Sequence, residues 1–246
     1  MREKDETLID PQDAELLEEI QDDEFASFFK TEKLPKIIIT TSRRPSYATN
    51  KFASELTDIF PDSEFKKRGA EHTLKDIIEG ASKRDYTALI VVNHTGKEPD
   101  ALTIVNLPVG PTAHFKLTSI KLAKQVHNHG RSTSHKPEMI LNNFNTRLGF
   151  TIGRFFASLF PPVPQFEGRQ AVTFHNQRDF IFFRRHRYIF KEGAVKDKAK
   201  AELQEIGPRF TLKLKWLQKG TFDTQSGEYE WAHKPELDTS RKRFHI

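Results

Sequence analysis

Between positions 179 and 188 the chain reads Asp179-Phe180-Ile181-Phe182-Phe183-Arg184-Arg185-His186-Arg187-Tyr188, an aromatic run that passes straight into three closely spaced arginines. Guanidinium groups grip phosphate oxygens two at a time and release counterions condensed on a polyanion, so this density of arginine suits a nucleic-acid backbone. Side chains alternate along a strand: Arg185 and Arg187 are expected on one face, Arg184 and His186 on the other, unless a bulge re-aims them. Lys213 and Lys215, two apart in a later stretch, would extend the same basic sheet surface. Rings interleaved with the cations could stack on unpaired bases. Phe180 and Phe182 are assigned to the core, and Tyr188 is left open. The bland alternative is an edge strand whose charges only prevent aggregation.

Two loops offer similar chemistry. Ser42-Arg43-Arg44-Pro45-Ser46 stands where a strand gives way to a helix, so backbone amides together with Arg43 and Arg44 could meet a phosphate. Ser46 by itself reads as an N-cap. The stretch His127-Asn128-His129-Gly130-Arg131-Ser132-Thr133-Ser134-His135-Lys136 has no apolar periodicity and reads as a connecting loop, with Arg131 as a candidate RNA contact and a plain linker as the alternative.

Catalytic patterns are missing from the sequence. No Gly-x-x-x-x-Gly-Lys-Ser/Thr is present, and no Gly-x-Gly-x-x-Gly follows a strand. His127 and His129 lack a convincing third ligand nearby, so they read as solvated loop residues. Of the 34 acidic residues no pair stands out as a nuclease site, and with no cysteine there is neither a thiolate zinc site nor a cysteine nucleophile. The expectation is a non-enzymatic protein with no cofactor, no metal and no small-molecule substrate. No apolar run is long enough to span a bilayer, and the acidic start does not look like a signal peptide, so a soluble protein of a reducing intracellular compartment is expected.

The formal charge of +5 conceals a division: the first 32 residues carry a net −9, which leaves +14 on the remainder. A basic body raises the expectation of a polyanionic partner. In the acidic segment Leu16, Leu17, Ile20, Phe28 and Phe29 recur at roughly helical spacing, as a partner-docking amphipathic helix would have them; a disordered acidic tail fits the composition equally well.

The elements that would position these groups are those of an α/β domain. Residues 36–41 read as a buried strand, 47–60 and 73–83 as helices, and 87–92, 101–106 and 113–118 as further strands. Residues 138–159 form the longest helical pattern, ended by Pro161-Pro162, with tight packing or a break near Gly149. Residues 171–176 and 180–190 read as a hairpin, 195–205 as a short helix, and 209–217 as a strand with Phe210, Leu212, Leu214 and Trp216 on one face and Arg209, Thr211, Lys213 and Lys215 on the other. The 21 phenylalanines are the main core-builders. His114-Phe115-Lys116-Leu117-Thr118 faintly echoes Arg209-Phe210-Thr211-Leu212-Lys213, each after a Gly-Pro, as two related halves would.

Five stretches in order resemble the Brix domain: Ile39-Thr40-Thr41-Ser42-Arg43-Arg44-Pro45-Ser46, Asn142-Asn143-Phe144, Leu159-Phe160-Pro161, His175-Asn176-Gln177-Arg178-Asp179-Phe180-Ile181-Phe182-Phe183-Arg184, and Ile206-Gly207-Pro208-Arg209-Phe210-Thr211-Leu212. The likeness runs from about residue 36 to about residue 217. With the acidic segment taken as 1–34, it implies a Brix domain at 35–220 made of two similar halves at about 35–125 and 137–220, each like the anticodon-binding domain of some aminoacyl-tRNA synthetases, followed by an extension at 221–246. It also implies a factor of the nucleus and nucleolus that binds precursor rRNA of the large ribosomal subunit and is needed for its processing without cutting it. Its partners would be other ribosome-assembly factors and ribosomal proteins of a pre-ribosomal particle. The family's Gly-Pro-Arg segment falls on Gly207, Pro208 and Arg209. A longer, lysine-rich N-terminal extension would also be expected, so the chain reads as shortened. The rival function is a protein–protein scaffold in such a particle without direct RNA contact.

Overall fold

The computed structural model describes residues 25–30, 34–69, 71–191, 200–223, 227–234 and 244–246. Its strands join in a single sheet. β1 (Ile37–Thr41) runs parallel to both β2 (Ser63–Phe65) and β3 (Ala88–Thr95), and β3, β4 (Glu98–Asn106) and β5 (Thr112–Lys121) follow as an antiparallel meander. The same plan recurs beyond residue 137. β6 (Glu138–Asn142) is parallel to β7 (Gln170–Gln177), after which β8 (Phe180–Lys191) and β10 (Arg209–Gln218) add antiparallel. β5 and β10 pair across the centre with Leu117 opposite Leu212, so the echoing segments are the two central strands. β9 (Lys200–Glu205) pairs with β8, and β11 (Tyr229–Ala232) with β10.

Local chemistry explains most of these elements. The run Ile37-Ile38-Ile39-Thr40-Thr41 is buried throughout, as suits a strand covered on both faces. α1 (Ala26–Lys30) precedes it; α2 (Tyr47–Leu56) begins at Ser46, whose hydroxyl accepts the Thr49 amide at 3.1 Å. α3 (Leu74–Ser82) starts from a reciprocal pair of bonds between Thr73 and Asp76, and α4 (Arg147–Ala157) from Thr146.

The inner face of the sheet, beneath α1, α2 and α4, holds a continuous aromatic core. Phe156 stacks on Phe174 at 4.3 Å, Phe174 meets Phe183 edge-on at 5.1 Å, Phe183 stacks on Phe210 at 4.4 Å, and Phe210 meets Phe52 edge-on at 5.6 Å. The outer face differs between the halves. In the first, α3 lays Ile78 and Ala81 over Ile38, Leu89, Val91 and Val105. In the second, the chain between α4 and β7 contains Pro161, Pro162 and Pro164 and forms one short 3-10 turn, Phe166–Gly168. Proline removes the amide donors a helix needs. Among the described residues no helix covers the outer face there.

Four expectations are corrected. Residues 138–142 are a strand rather than the start of a long helix, because Met139 and Leu141 pack on the core while Ile140 faces out, an alternation that a short apolar run shares with helical spacing. The break falls at 143–146; the tight packing at Gly149 is present, since a Cβ there would lie 2.9 Å from the Ile246 carbonyl carbon. Residues 200–205 are a strand although Lys, Ala and Glu favour helices: the far end of β8 offers them a backbone edge, and tertiary pairing overrides propensity. Residues 192–199 lie outside the described set. In β10 a bulge between Leu214 and Trp216 ends the alternation, so Leu217 enters the core and Trp216 turns to the outer face. Of the acidic segment, finally, the described residues 25–30 pack on the domain itself: Phe25 is fully buried edge-on to Phe155, and Phe29 packs against the core beneath the Arg154 guanidinium at 4.7 Å, with Phe28 edge-on to it. Phe29 is thereby withdrawn from the partner-docking face; Leu16, Leu17 and Ile20 lie outside the described residues. No helix among the described residues is long and apolar enough to cross a membrane.

Candidate nucleic-acid interface

On the outer face of the second half, β8 presents Phe180, Phe182, Arg184 and His186 in alternation with the core residues Ile181 and Phe183. The assignment of Phe180 and Phe182 to the core is therefore corrected. Phe180 is 40% exposed, with the Lys213 ammonium 5.3 Å from its ring centre, and Phe182 is half-buried. The parity of the strand decides this: Ile181 and Phe183 take the inner face, so their neighbours cannot. Lys213 stands directly across from Lys116 of β5, and the two carry positive charge onto the first half. Thr173 lies opposite Arg184, and His175 opposite Phe182.

Arg184 is half-buried, and its Nη1 donates to the Phe183 carbonyl at 2.7 Å. Burial, and then the Arg209 guanidinium beside it, push its pKa down, with Glu205 opposing. An arginine destabilised in this way gains from a phosphate. Arg209 is already served: its Nε and Nη2 donate to the two carboxylate oxygens of Glu205 at 2.8 and 2.5 Å. His186 is lowered by burial first and by Arg184 and Arg209, against the pull of Glu205.

Arg185 is not a surface group. It is 2% exposed, and its Nη2 donates to Ser132 Oγ at 2.7 Å and to Gln170 Oε1 at 2.8 Å, while Nε has no hydrogen-bond partner among the described residues. The expectation that it contacts RNA is corrected: strand parity turns it inward, into the seam between β7 and the loop at 132–134, where it ties the two together; burial lowers its pKa, against the pull of Asp58. Arg187, two residues on, is exposed on the same side. Tyr188 donates its hydroxyl to the Glu138 carboxylate, which takes up its polar end.

The loop groups fall elsewhere. Arg43 and Arg44 are exposed after β1, with Arg44 at φ 53°, and Ser46 also donates to the Lys97 carbonyl at 2.6 Å. Arg131 is exposed in the connection between the halves. The structure thus gathers Arg184, Arg209 and Lys213 on one face, sets Arg43 beside Arg68 on the first half, and leaves Arg131 and Arg187 apart. Lys215 sits at the bulge near His114, whose pKa is lowered first by burial and further by this ammonium, against the pull of Asp100. Sequence reasoning missed Lys116, Arg68 and the outward Trp216; only the bulge, which no local pattern announces, would have located the last. Among the described residues no group of three His, Cys, Asp or Glu could hold a metal.

One mixed α/β sheet made of two like halves over a shared phenylalanine core agrees with the fold that the resemblance to the Brix domain implies. The chain belongs to that family, whose model matches residues 42–216. It is 55% identical over 245 residues to ribosome production factor 1 of Mus musculus, covering 98% of this chain and 68% of that protein. It is also 49% identical over 243 residues to a Brix domain-containing protein of Schizosaccharomyces pombe, covering 98% of this chain and 79% of that one. The crystal structure of a probable ribosomal biogenesis protein from Aeropyrum pernix K1 superposes with a TM-score of 0.54 at 15% identity, over 81% of this chain and 99% of the other, a likeness of fold alone.

Proposed function

We propose that this chain is a non-catalytic ribosome-biogenesis factor that binds precursor rRNA of the large subunit and is needed for its processing. It works in the nucleus, in the nucleolus, beside other assembly factors and ribosomal proteins. Family membership and the ribosome production factors among its relatives support the biogenesis role. The observation that carries the RNA reading is the outer face that no helix among the described residues covers, where Arg184, Lys213 and Lys116 stand among Phe180 and Phe182. Cations there would hold phosphates and fix register, and rings would hold unpaired bases, while the shape of the RNA supplies specificity. Arg43, Arg44, Arg131 and Arg187, all exposed but set apart from this face, would meet other stretches of the RNA, and Lys215 joins the face at the bulge.

Binding to a large-subunit rRNA fragment measured across salt concentrations tests this. Arg184→Ala and Lys213→Ala should each weaken binding and reduce the salt slope by roughly one. Arg185→Met should leave the slope alone and change the unfolding midpoint instead. Wild-type protein that binds RNA without salt dependence, or not at all, would favour a scaffold that meets only other proteins.

A further inference from the structure

On the outer face of the first half, a hollow of about 490 Å³ opens between α3 and the central strands. Its size is ordinary for a small-ligand site, about 300–1,000 Å³. The bulge in β10 turns Trp216 into it, at a position where unbroken alternation would have buried the ring. Bulges that re-aim one side chain are frequent beside functional sites. His114 stacks on the indole at 5.0 Å, Tyr229 stands edge-on to it at 5.7 Å, and Phe222 lies 6.1 Å away. Tyr229 is 50% exposed.

The polar groups of the lining form a chain. Asn93 Nδ2 donates to Thr103 Oγ1 at 3.0 Å, and the Thr103 hydroxyl shares a hydrogen bond of 2.9 Å with His114 Nδ1. Burial, with Lys215 adding to it, lowers the His114 pKa against the pull of Asp100. Asn93 Oδ1, His114 Nε2 and Trp216 Nε1 have no hydrogen-bond partner among the described residues, which leaves an amide acceptor, an indole donor and an imidazole nitrogen. No carboxylate lines the hollow. Arg68 does: its Nε and Nη2 donate to the His72 carbonyl at 3.1 and 3.0 Å, it pairs with no acid among the described residues, and Arg43 lies close enough to strain its charge further. Aromatic walls, an edge able to donate and accept, and an unbalanced cation match a base with its phosphate.

We propose that this hollow is a single-nucleotide pocket, taking one unpaired base of the RNA against the Trp216 and Tyr229 wall with the adjoining phosphate on Arg68. The proposal rests on the RNA reading above and adds a site to it. In a Trp231→Phe background Trp216 is the sole indole, because the chain has 2 tryptophans. Titration with a short single-stranded RNA should quench its emission. Arg68→Ala and Tyr229→Ala should each weaken binding about tenfold and remove most of the quench, and Tyr229→Phe should restore it. Arg184→Ala should weaken binding but leave the quench at saturation unchanged. RNA binding without any change at Trp216, and with Arg68→Ala and Tyr229→Ala silent, would overturn the pocket, as it would if a protein segment fills it, while leaving the surface reading intact. Loss of all RNA binding would overturn both. Quenching by AMP but not by the RNA strand would assign the hollow to a free nucleotide and overturn the proposal.

Discussion

Tyr188 shows how one contact sets a measurable property. Its bond to the Glu138 carboxylate, helped by partial burial, pushes the phenol from 10.0 up to about 12. The folded chain therefore favours the protonated form. The stabilisation is complete below the unfolded value near 10 and is lost as pH rises through about 12. A phenolate absorbance titration should show one of the 4 tyrosines ionising late, and Tyr188→Phe should delete that step and leave the others in place. An unchanged curve would mean the bond does not form in solution. Arg185 teaches a related lesson: its residue type marks a phosphate binder, but a guanidinium that is 98% enclosed has exchanged solvent for Ser132 and Gln170 and acts on the fold.

Elements are decided by their ends. α4 begins only at Arg147 because the Thr146 hydroxyl accepts the Gly149 amide at 2.9 Å and donates to the His245 carbonyl at 2.7 Å, which fixes both the first turn and the chain that lies against it. Thr146→Ala should cost about 1 kcal/mol for the cap alone, with a further loss from the second bond, whereas Thr146→Ser should keep most of both; urea unfolding midpoints measure the difference. A midpoint that does not move with Ala would show that packing alone starts the helix. The other decisive element is one that is not built. Residues 158–169 stand where the first half places α3, and their prolines leave the outer face of β7, β8 and β10 to arginine, lysine and phenylalanine.

Across the molecule the halves share their interior. Phe52 of α2, in the first half, meets Phe210 of the second half, and Phe156 of α4 stacks on Phe115 of the first at 5.5 Å. Each helix thus packs over the other half's central strand, and neither half closes its core alone. Phe210→Ala should destabilise by about 3–5 kcal/mol, and hydrogen exchange should quicken together in β1 and β7. Faster exchange confined to β6, β7 and β8 would indicate halves that unfold separately.

The chain's chemistry by itself determined the fold class, the Brix family, the division between an acidic start and a basic body, and the strands with unbroken apolar runs. These depend on composition, short periodicities and motifs in order, all of which are local. The tertiary structure alone decided the direction of each arginine, the strand at Lys200–Glu205, the outward turn of Trp216 and the docking of Phe25 and Phe29. Each of these turns on a partner far along the chain: an open strand edge, a bulge relative to β5, a hydrophobic site on α4. Whether a guanidinium faces water or a glutamine is a matter of strand register, and register is set by pairing between segments that local sequence does not relate.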